Sequence, residues 1–149
     1  MALVFVENSN LFWTDMQTIA ITVNLVGAMG KGIAKRAALQ WPFVLPLYRN
    51  DIATKQLDKG RLRVYDITAY RKMLAFPTKY DWRDDSDKGL IEANLQALRD
   101  TYRDLGITSL ALPMLGCGNG NLDWKEIRPL IQRYLGDLPI DIEVYGPEV

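Results

Sequence analysis

The 149-residue sequence contains no histidine and a single cysteine, Cys117. The absence of histidine excludes Ser-His-Asp and Cys-His catalysis and most zinc sites, so any chemistry relies on carboxylates, lysine, arginine, hydroxyl groups, the thiol or the backbone. Carboxylates leave magnesium binding open, but we predict no metal site and no cofactor. One cysteine excludes an intramolecular disulfide and fits a reducing, cytoplasmic setting.

The sequence also lacks an excess of either charge and any long apolar run. Lys and Arg together number 18, as do Asp and Glu, so the formal net charge is zero. This balance disfavours a strongly basic, nonspecific nucleic-acid binder but permits a local basic patch. Without a signal peptide or a membrane-length apolar run, no membrane contact is expected. The length and the 48% hydrophobic content predict one domain over residues 1–149.

Strands and helices alternate along the chain. Short apolar and β-branched runs predict strands at residues 3–6, 18–23, 62–67, 72–76, 109–112 and 140–145. Helical spacing predicts helices at residues 33–40, 43–56 and 91–105, and a last helix that Asp123 caps. We expect Ser86 to cap the third helix, Gly106 to end it, and Pro129 to split the last into a short first turn and a restart. The two middle strands should form a hairpin, residues 77–85 a loop, and the whole an α/β sandwich with a largely parallel sheet.

A glycine-rich segment follows the second predicted strand. It reads Asn24-Leu-Val-Gly27-Ala-Met-Gly30-Lys31-Gly32-Ile33 and runs directly into a predicted helix. Glycine lets the backbone turn tightly and approach a ligand, and a helix N-terminus offers unpaired N–H groups to a phosphate. The spacing is neither that of the Rossmann motif nor that of the P-loop. We interpret the segment as a phosphate-binding loop, with a plain strand-to-helix turn as the alternative.

A second glycine-rich segment, residues 113–122, follows the fifth predicted strand. Its glycines alternate with other residues at positions 116, 118 and 120. Both glycine-rich loops leave the C-terminal ends of buried strands, which is the edge where open α/β sheets bind ligands. Two such loops on one edge predict a diphosphate that is gripped from both sides.

A third segment, Phe76-Pro-Thr-Lys79-Tyr-Asp-Trp-Arg83, lies beyond a strand on the same predicted edge. Lysine attacks carbon only as the neutral amine, and neighbouring aromatic rings that exclude water favour that form. Lys79 is therefore a candidate nucleophile. A surface lysine in an ordinary loop is the alternative.

Taken in order, these segments resemble those of a macrodomain, the ADP-ribose-binding module. The similarity runs over nearly the whole chain, beginning at Phe5-Val-Glu-Asn-Ser-Asn10-Leu11. The succession NxVGxMGKGIA, FPTKxxWR and GCGxGxLDW resembles the macrodomain of the DarG antitoxins and the related terminal ADP-ribose glycohydrolases of animals. The resemblance implies a three-layer α/β/α macrodomain with a mixed, largely parallel central sheet. It also implies that the chain is part of a longer protein with a C-terminal toxin-binding domain.

The resemblance further implies an enzyme. DarG-like proteins remove ADP-ribose from thymidine in single-stranded DNA by hydrolysing an N-glycosidic bond, and so reverse the partner toxin DarT. The essential lysine of the family falls on Lys79, which in the animal relatives attacks the anomeric carbon of the distal ribose. Those relatives also use an aspartate in the second loop. The matching stretch here, 118–121, has no carboxylate, and the nearest, Asp123, is expected to cap a helix, so no general acid or base is assigned.

The other site residues are carried over by position. Asn10 stands where many macrodomains have an adenine-binding aspartate, Asn24 should face the distal ribose, and the backbone of both loops should hold the diphosphate. Tyr80, Trp82 and Arg83 are expected to contact the DNA strand, although the two rings equally fit packing within their own loop. The predicted ligand-binding set is Asn10, Leu11, Asn24, Met29, Gly30, Lys31, Gly32, Ile33, Thr78, Leu115, Gly116, Cys117, Gly118, Asn119, Gly120 and Asn121.

Two other functions fit the same residues. The missing second-loop carboxylate favours a reader that binds ADP-ribose without cleaving it. Other macrodomains act on small ADP-ribose derivatives or on protein-linked ADP-ribose. The expected partners are ADP-ribose, ADP-ribosylated single-stranded DNA and a DarT-like toxin, and the chain is expected to be a monomer.

Overall fold

The computed structural model describes residues 2–146 as one six-stranded sheet with two helices on each face. The strands are β1 (Leu3–Val6), β2 (Thr18–Asn24), β3 (Arg63–Thr68), β4 (Arg71–Lys79), β5 (Ser109–Leu112) and β6 (Asp141–Tyr145). The helices are α1 (Gly32–Gln40), α2 (Val44–Ala53), α3 (Lys88–Thr101) and α4 (Trp124–Leu135). Two short 3₁₀ turns, which the sequence patterns did not predict, cover Leu11–Trp13 and Gly118–Gly120. Within residues 2–146, no helix is long and apolar enough to cross a membrane.

The strands lie in the order β1-β6-β5-β2-β4-β3. All neighbours pair in parallel except β3, which pairs antiparallel with β4 through the predicted hairpin. The predicted three-layer α/β/α fold with a mixed, largely parallel sheet is therefore confirmed. Five strands point the same way, so their C-terminal ends share one edge of the sheet.

Side chains that alternate along the central strands build a separate core on each face of the sheet. Leu74 and Phe76 of β4 join the core beneath α3 and α4, whereas Met73 and Ala75 join the core beneath α1 and α2. The same alternation occurs in β2 and β5. Helix residues complete each core, with Ile91, Leu95, Ile127 and Ile131 on one face and Ala34, Ala37, Val44 and Tyr48 on the other. Burial on both faces explains why these strands read as continuous apolar runs.

The strand β4 is longer than predicted. We expected it to end at Phe76 and residues 77–85 to form a loop, but it continues through Pro77 to Lys79. Pairing with β3 stops at Ala75, so the last part of β4 has a strand neighbour on one side only. The carbonyl of Pro77 accepts a hydrogen bond from the Asn94 side chain. Since the nitrogen of a strand residue points to the same side as its carbonyl, proline costs no ladder hydrogen bond here.

The boundaries of two helices also differ from the prediction. Asp87, not Ser86, caps α3, because its Oδ1 accepts a hydrogen bond from the Leu90 N–H at 2.9 Å. This helix ends at Thr101, and residues 102–106 follow as turns that close at Gly106, whose φ is +75°. The helical spacing of apolar residues continues to residue 105 because Tyr102 and Leu105 pack against the core, although the helical hydrogen bonds have already ended. Likewise α2 ends at Ala53 and not at residue 56.

Pro129 does not divide the last helix. The helix α4 runs without a break from Trp124 to Leu135, and Asp123 caps it as predicted, with Oδ1 2.9 Å from the Lys125 nitrogen. Proline removes one N–H, whose helical partner is the carbonyl of Lys125. Both residues are exposed, so water can satisfy that carbonyl. The predicted restart is therefore wrong because the loss is confined to one solvated carbonyl.

This position yields a stability prediction. Pro129→Ala restores the missing hydrogen bond without disturbing the core, and should raise the free energy of unfolding by roughly 1–3 kcal/mol. Urea denaturation measures the change. Gln132→Ala, on an exposed position of the same helix, serves as the control and should change stability by no more than about 0.5 kcal/mol. An unchanged midpoint for Pro129→Ala would contradict the hydrogen-bond explanation.

Candidate functional site

A cavity of about 840 Å³ opens at the C-terminal edge of the parallel strands. Each of the five parallel strands contributes residues to the cavity, either from its own C-terminal end or from the segment that follows it. The residues that line it are Ser9, Leu11, Thr22, Val23, Asn24, Ala28, Gly30, Lys31, Gly32, Ile33, Ala34, Thr78, Lys79, Trp82, Ser86, Pro113, Met114, Gly116, Cys117, Gly118, Asn119, Gly120, Tyr145 and Gly146. A volume of this size fits a ligand as large as a dinucleotide.

The side chain of Asn24 shapes the first glycine-rich loop. Its Oδ1 accepts hydrogen bonds from the N–H groups of Val26 and Ala28, and its Nδ2 donates to the Ala28 carbonyl at 2.8 Å. The fully buried Tyr48 of α2 donates its hydroxyl to the Asn24 carbonyl at 2.5 Å. Burial raises the pKa of Tyr48, so its phenol remains a donor. Asn24 lines the cavity, but most of its amide is committed to holding the loop.

The first loop delivers the N-terminus of α1 to the cavity. Gly30, Lys31 and the first helical residues, Gly32 to Ala34, all line it. Gly32 has φ +57°, a conformation that glycine adopts without strain. The first-turn N–H groups of a helix have no intrahelical partner, and the helix dipole places partial positive charge there. The geometry suits an anionic group.

Hydrogen bonds from neighbouring segments fix the second glycine-rich loop. The N–H of Ser86 donates to the Gly120 carbonyl at 2.9 Å, and the Asn121 amide donates to Asp85 at 2.8 Å. Inside the loop, Leu122 N–H donates to the carbonyl of Gly116. The loop is therefore anchored along its length despite its glycines.

Lys79 and both glycine-rich loops meet at Asn119. The Lys79 Nζ donates to the Asn119 carbonyl at 3.1 Å. The side-chain amide nitrogen of Asn119 lies next to Gly32, since a Cβ added to Gly32 would be 3.2 Å from that nitrogen. The Lys79 Nζ thus contacts the second loop at Asn119, the residue whose side chain reaches the first loop.

The segment after Lys79 presents an aromatic and basic surface at the rim of the cavity. Trp82 is 50% exposed, and the guanidinium of Arg83 lies 5.6 Å from the centre of its indole ring. Arg83 also forms two hydrogen bonds with Asp81, at 3.0 and 2.6 Å. These bonds lower the pKa of Asp81 from its ordinary value of 3.8 to about 2. The carboxylate therefore stays charged and holds the arginine beside the ring.

The cavity is poor in acid–base groups. Among the described residues that line it, none is an aspartate or a glutamate. Asp123, the carboxylate nearest in sequence to the second loop, caps α4. Burial raises the pKa of the Cys117 thiol, which keeps it protonated and unreactive. Lys79 and Lys31 are thus the charged side chains in the lining.

The predicted site residues divide into two groups by position. Most lie in the cavity wall, including Leu11, Asn24, Thr78, Lys79 and both loop backbones. Six lie outside the lining: Asn10, Met29, Tyr80, Arg83, Leu115 and Asn121. The Asn10 side chain accepts a hydrogen bond from the Phe12 N–H and so caps a 3₁₀ turn. Met29 and Leu115 are buried in the two cores.

Sequence reasoning missed several lining residues. Four of them lie directly or closely after strands: Ser9, Pro113, Met114 and Gly146. The rule that ligands bind beyond the C-terminal ends of parallel strands could have identified these four from the sequence. The sequence predicts Ser86 only as a helix cap, and no local signal places it in the cavity. The others missed are Thr22, Val23, Ala28, Ala34 and Tyr145.

A Macro domain family model matches residues 21–131. That match covers most of the chain, so the protein belongs to the Macro domain family, which confirms the predicted macrodomain.

Within the family, the similarity is to DarG proteins. The chain is 35% identical, over 93% of its length, to the DNA ADP-ribosyl transferase-DNA ADP-ribosyl glycohydrolase fusion protein of Thermosipho africanus. It is 36% identical, again over 93%, to the DNA ADP-ribosyl glycohydrolase of Thermus aquaticus. The chain spans only 40% and 39% of these two proteins.

Solved structures agree with this assignment. The structure of Thermosipho africanus DarTG in complex with ADP-ribose superposes with a TM-score of 0.91 at 36% identity, covering 98% of this chain and 42% of that one. The macrodomain of Thermus aquaticus DarG gives a TM-score of 0.90 at 36% identity and covers 97% of this chain and 98% of that one. The chain therefore corresponds to a DarG-type macrodomain.

The contact between Gly120 and Ser86 yields a prediction. A Cβ at Gly120 would lie 2.2 Å from the Ser86 Oγ and 2.9 Å from its Cβ. Gly120→Ala should therefore lower the free energy of unfolding by roughly 1–3 kcal/mol, as overpacked sites do. Gly30→Ala is the matched control, since no atom lies within 4 Å of its added Cβ. Thermal denaturation measures both, and equal midpoints would contradict the packing.

The ion pair at the rim yields a pH prediction. Because the folded-state pKa of Asp81 is depressed, the stabilisation from this pair is complete above about pH 4 and is lost as the pH falls through about 2. In an NMR titration, the Asp81 carboxyl should titrate near pH 2 in the wild type and move back towards 3.8 in Arg83→Ala. A wild-type midpoint near 3.8 would show that the pair does not form in solution.

Proposed function

We propose that this macrodomain removes ADP-ribose from ADP-ribosylated single-stranded DNA by hydrolysing the N-glycosidic bond to the base, with Lys79 as the catalytic residue. The observation that carries the proposal is that Lys79 lines the same cavity as both glycine-rich loops, with its Nζ 3.1 Å from the Asn119 carbonyl of the second loop. The names of the DarG relatives support the same activity.

The two loops supply the binding of ADP-ribose in this proposal. The N-terminus of α1, at Gly30 to Ala34, and the backbone of residues 116–120 face the diphosphate from opposite sides. Leu11 and the end of β6 also line the cavity, and the proposal assigns the adenosine to them. Asn24, whose amide holds the first loop, borders the part that is left for the distal ribose.

The chemistry falls to Lys79. As a neutral amine it attacks the anomeric carbon of the distal ribose, and the bond from that carbon to the base nitrogen breaks with its electron pair on the base. The base takes up the proton that the alkylated lysine nitrogen loses and leaves with the DNA strand. Water then attacks the same carbon, its oxygen forms the hydroxyl of free ADP-ribose, and its proton returns to the lysine nitrogen as that bond breaks. The Asn119 carbonyl accepts a hydrogen bond from the Lys79 nitrogen and holds it beside the second loop.

The rim surface supplies the contact with DNA. Trp82, half exposed and open to the cavity, offers a face on which a base can stack. Arg83, held beside that ring by Asp81, offers a charge to a phosphate. Tyr80, 43% exposed, extends the aromatic surface next to them.

The relatives are longer than this chain, and their names support a role within a toxin–antitoxin pair. We propose that the domain acts as the antitoxin component opposite a DarT-like toxin, and that it does so in the cytoplasm. The name of the Thermosipho fusion protein, which joins a DNA ADP-ribosyl transferase to a glycohydrolase, supports the pairing. The single cysteine fits a reducing compartment.

One observation favours a second candidate, a reader that binds ADP-ribose without cleaving it. The described part of the cavity lining contains no carboxylate to act as a general acid or base. A reader would bind ADP-ribose and leave every ADP-ribosylated substrate intact. Turnover, not binding, therefore distinguishes the two functions.

The test is a gel assay with a single-stranded oligonucleotide that is ADP-ribosylated on thymidine. The wild type should release unmodified DNA, and Lys79→Ala should be slower by on the order of a hundredfold or more, because the nucleophile is gone. Lys72→Ala is the matched control. Lys72 lies on the same strand but at its opposite end, paired with Asp66 at 2.6 Å, so its loss should leave the rate unchanged.

The outcomes separate the functions. Full activity of Lys79→Ala would remove Lys79 from the mechanism. Intact DNA after incubation with the wild type, together with measurable ADP-ribose binding, would establish the reader. Cleavage of protein-linked ADP-ribose or of a small ADP-ribose derivative, with DNA untouched, would change the substrate class.

A further inference from the structure

The hydroxyl of Ser86 lacks a partner in a place where it needs one. Among the buried side-chain nitrogen and oxygen atoms of residues 2–146, the Ser86 Oγ alone has no hydrogen-bond partner. The residue is 7% exposed and lines the cavity. A buried hydroxyl that makes no hydrogen bond costs free energy, so folded proteins almost always satisfy such a group.

The backbone around Ser86 is fixed on every side. Its own N–H donates to the Gly120 carbonyl, and the N–H of Asp87 donates to the Thr78 carbonyl, both at 2.9 Å. Asp85 accepts a hydrogen bond from Asn121. These bonds hold the segment that carries the hydroxyl between the end of β4 and the second glycine-rich loop.

The second glycine-rich loop packs directly against the Ser86 side chain. A Cβ at Gly120 would lie 2.2 Å from the Oγ, and one at Gly116 would lie 3.2 Å from the Ser86 Cβ. Both positions are glycine, so loop backbone and no loop side chain packs against the hydroxyl, and a rotation of the serine side chain about χ1 is what would present the Oγ to the cavity. The unpaired hydroxyl and the loop backbone share one wall of the cavity.

We propose that the Ser86 Oγ donates a hydrogen bond to a diphosphate oxygen of bound ADP-ribose. This assignment rests on the proposed function, because that function makes the second loop the diphosphate-binding loop. A hydroxyl donates readily to an anionic oxygen, and such charge-assisted bonds are the stronger ones. Ser86 is thus a ligand-binding residue that belongs to neither glycine-rich loop.

The test compares binding with folding. Isothermal titration with ADP-ribose and with ADP, which shares the diphosphate but lacks the distal ribose, should show that Ser86→Ala weakens both ligands by about tenfold or more. Thermal denaturation of the free protein should show an unchanged or higher Tm, because the variant removes a hydroxyl that had no partner. A purely structural serine would instead lose stability and keep its affinity.

A matched control shows that opposite pattern. The Ser109 Oγ accepts a hydrogen bond from the Gln17 N–H at 2.7 Å, at the start of β5 and so at the other edge of the sheet. Ser109→Ala should lower the Tm and leave both affinities unchanged. Ser86→Cys, whose somewhat larger thiol donates only weakly, should repeat the loss of affinity if Ser86→Ala does not fold.

The possible results are distinct. Unchanged affinity of Ser86→Ala or Ser86→Cys for ADP-ribose would overturn the assignment while leaving the proposed function intact. A loss confined to ADP-ribose, with ADP binding unchanged, would overturn the diphosphate as the partner. A wild-type protein that binds neither ligand would overturn the proposed function and this assignment with it.

Discussion

The parallel alignment of β1, β6, β5, β2 and β4 is the constraint on which the cavity depends. Strands that point the same way must all end at one edge, so segments that are far apart in sequence meet there. For this reason the same cavity is lined by residues as far apart in sequence as Ser9, Lys79 and Gly146. The polar groups at strand ends have no ladder partners and must be satisfied by loops. A site built of backbone amides, glycines and two lysines follows from that arrangement.

Residues outside the cavity give its loops their shape. Tyr48, a fully buried residue of α2, holds the Asn24 backbone, and the Asn24 amide in turn closes the first loop. On the other side, the segment before α3 holds the second loop through Ser86 and Asp85. The two loops are thus supported by different layers of the fold. This division explains why the loops can be rich in glycine and still have one conformation.

The sequence predicted the layers, both loops and the lysine, because each has a local signature: alternating apolar residues, glycine spacing, and a lysine among aromatic side chains. It failed where tertiary contacts decide. Pro77 lies in a strand because β3 ends before it, and Pro129 lies in a helix because the carbonyl it frees is solvated. Ser86 was misassigned because Asp87 follows it, and either residue type caps a helix. Which of two adjacent polar residues faces a cavity depends on the segments packed around it, here Gly116 and Gly120.

The anchoring of residues 116–122 also bears on the entropy of ligand binding. A free glycine-rich loop samples many backbone conformations and would lose that freedom when a ligand orders it, which weakens affinity. Here the bonds to Ser86 and Asp85, and the one inside the loop, impose the order during folding. Association then requires little rearrangement of this loop. The glycines of this loop let its backbone approach the ligand and the Ser86 side chain closely, and they add little mobility.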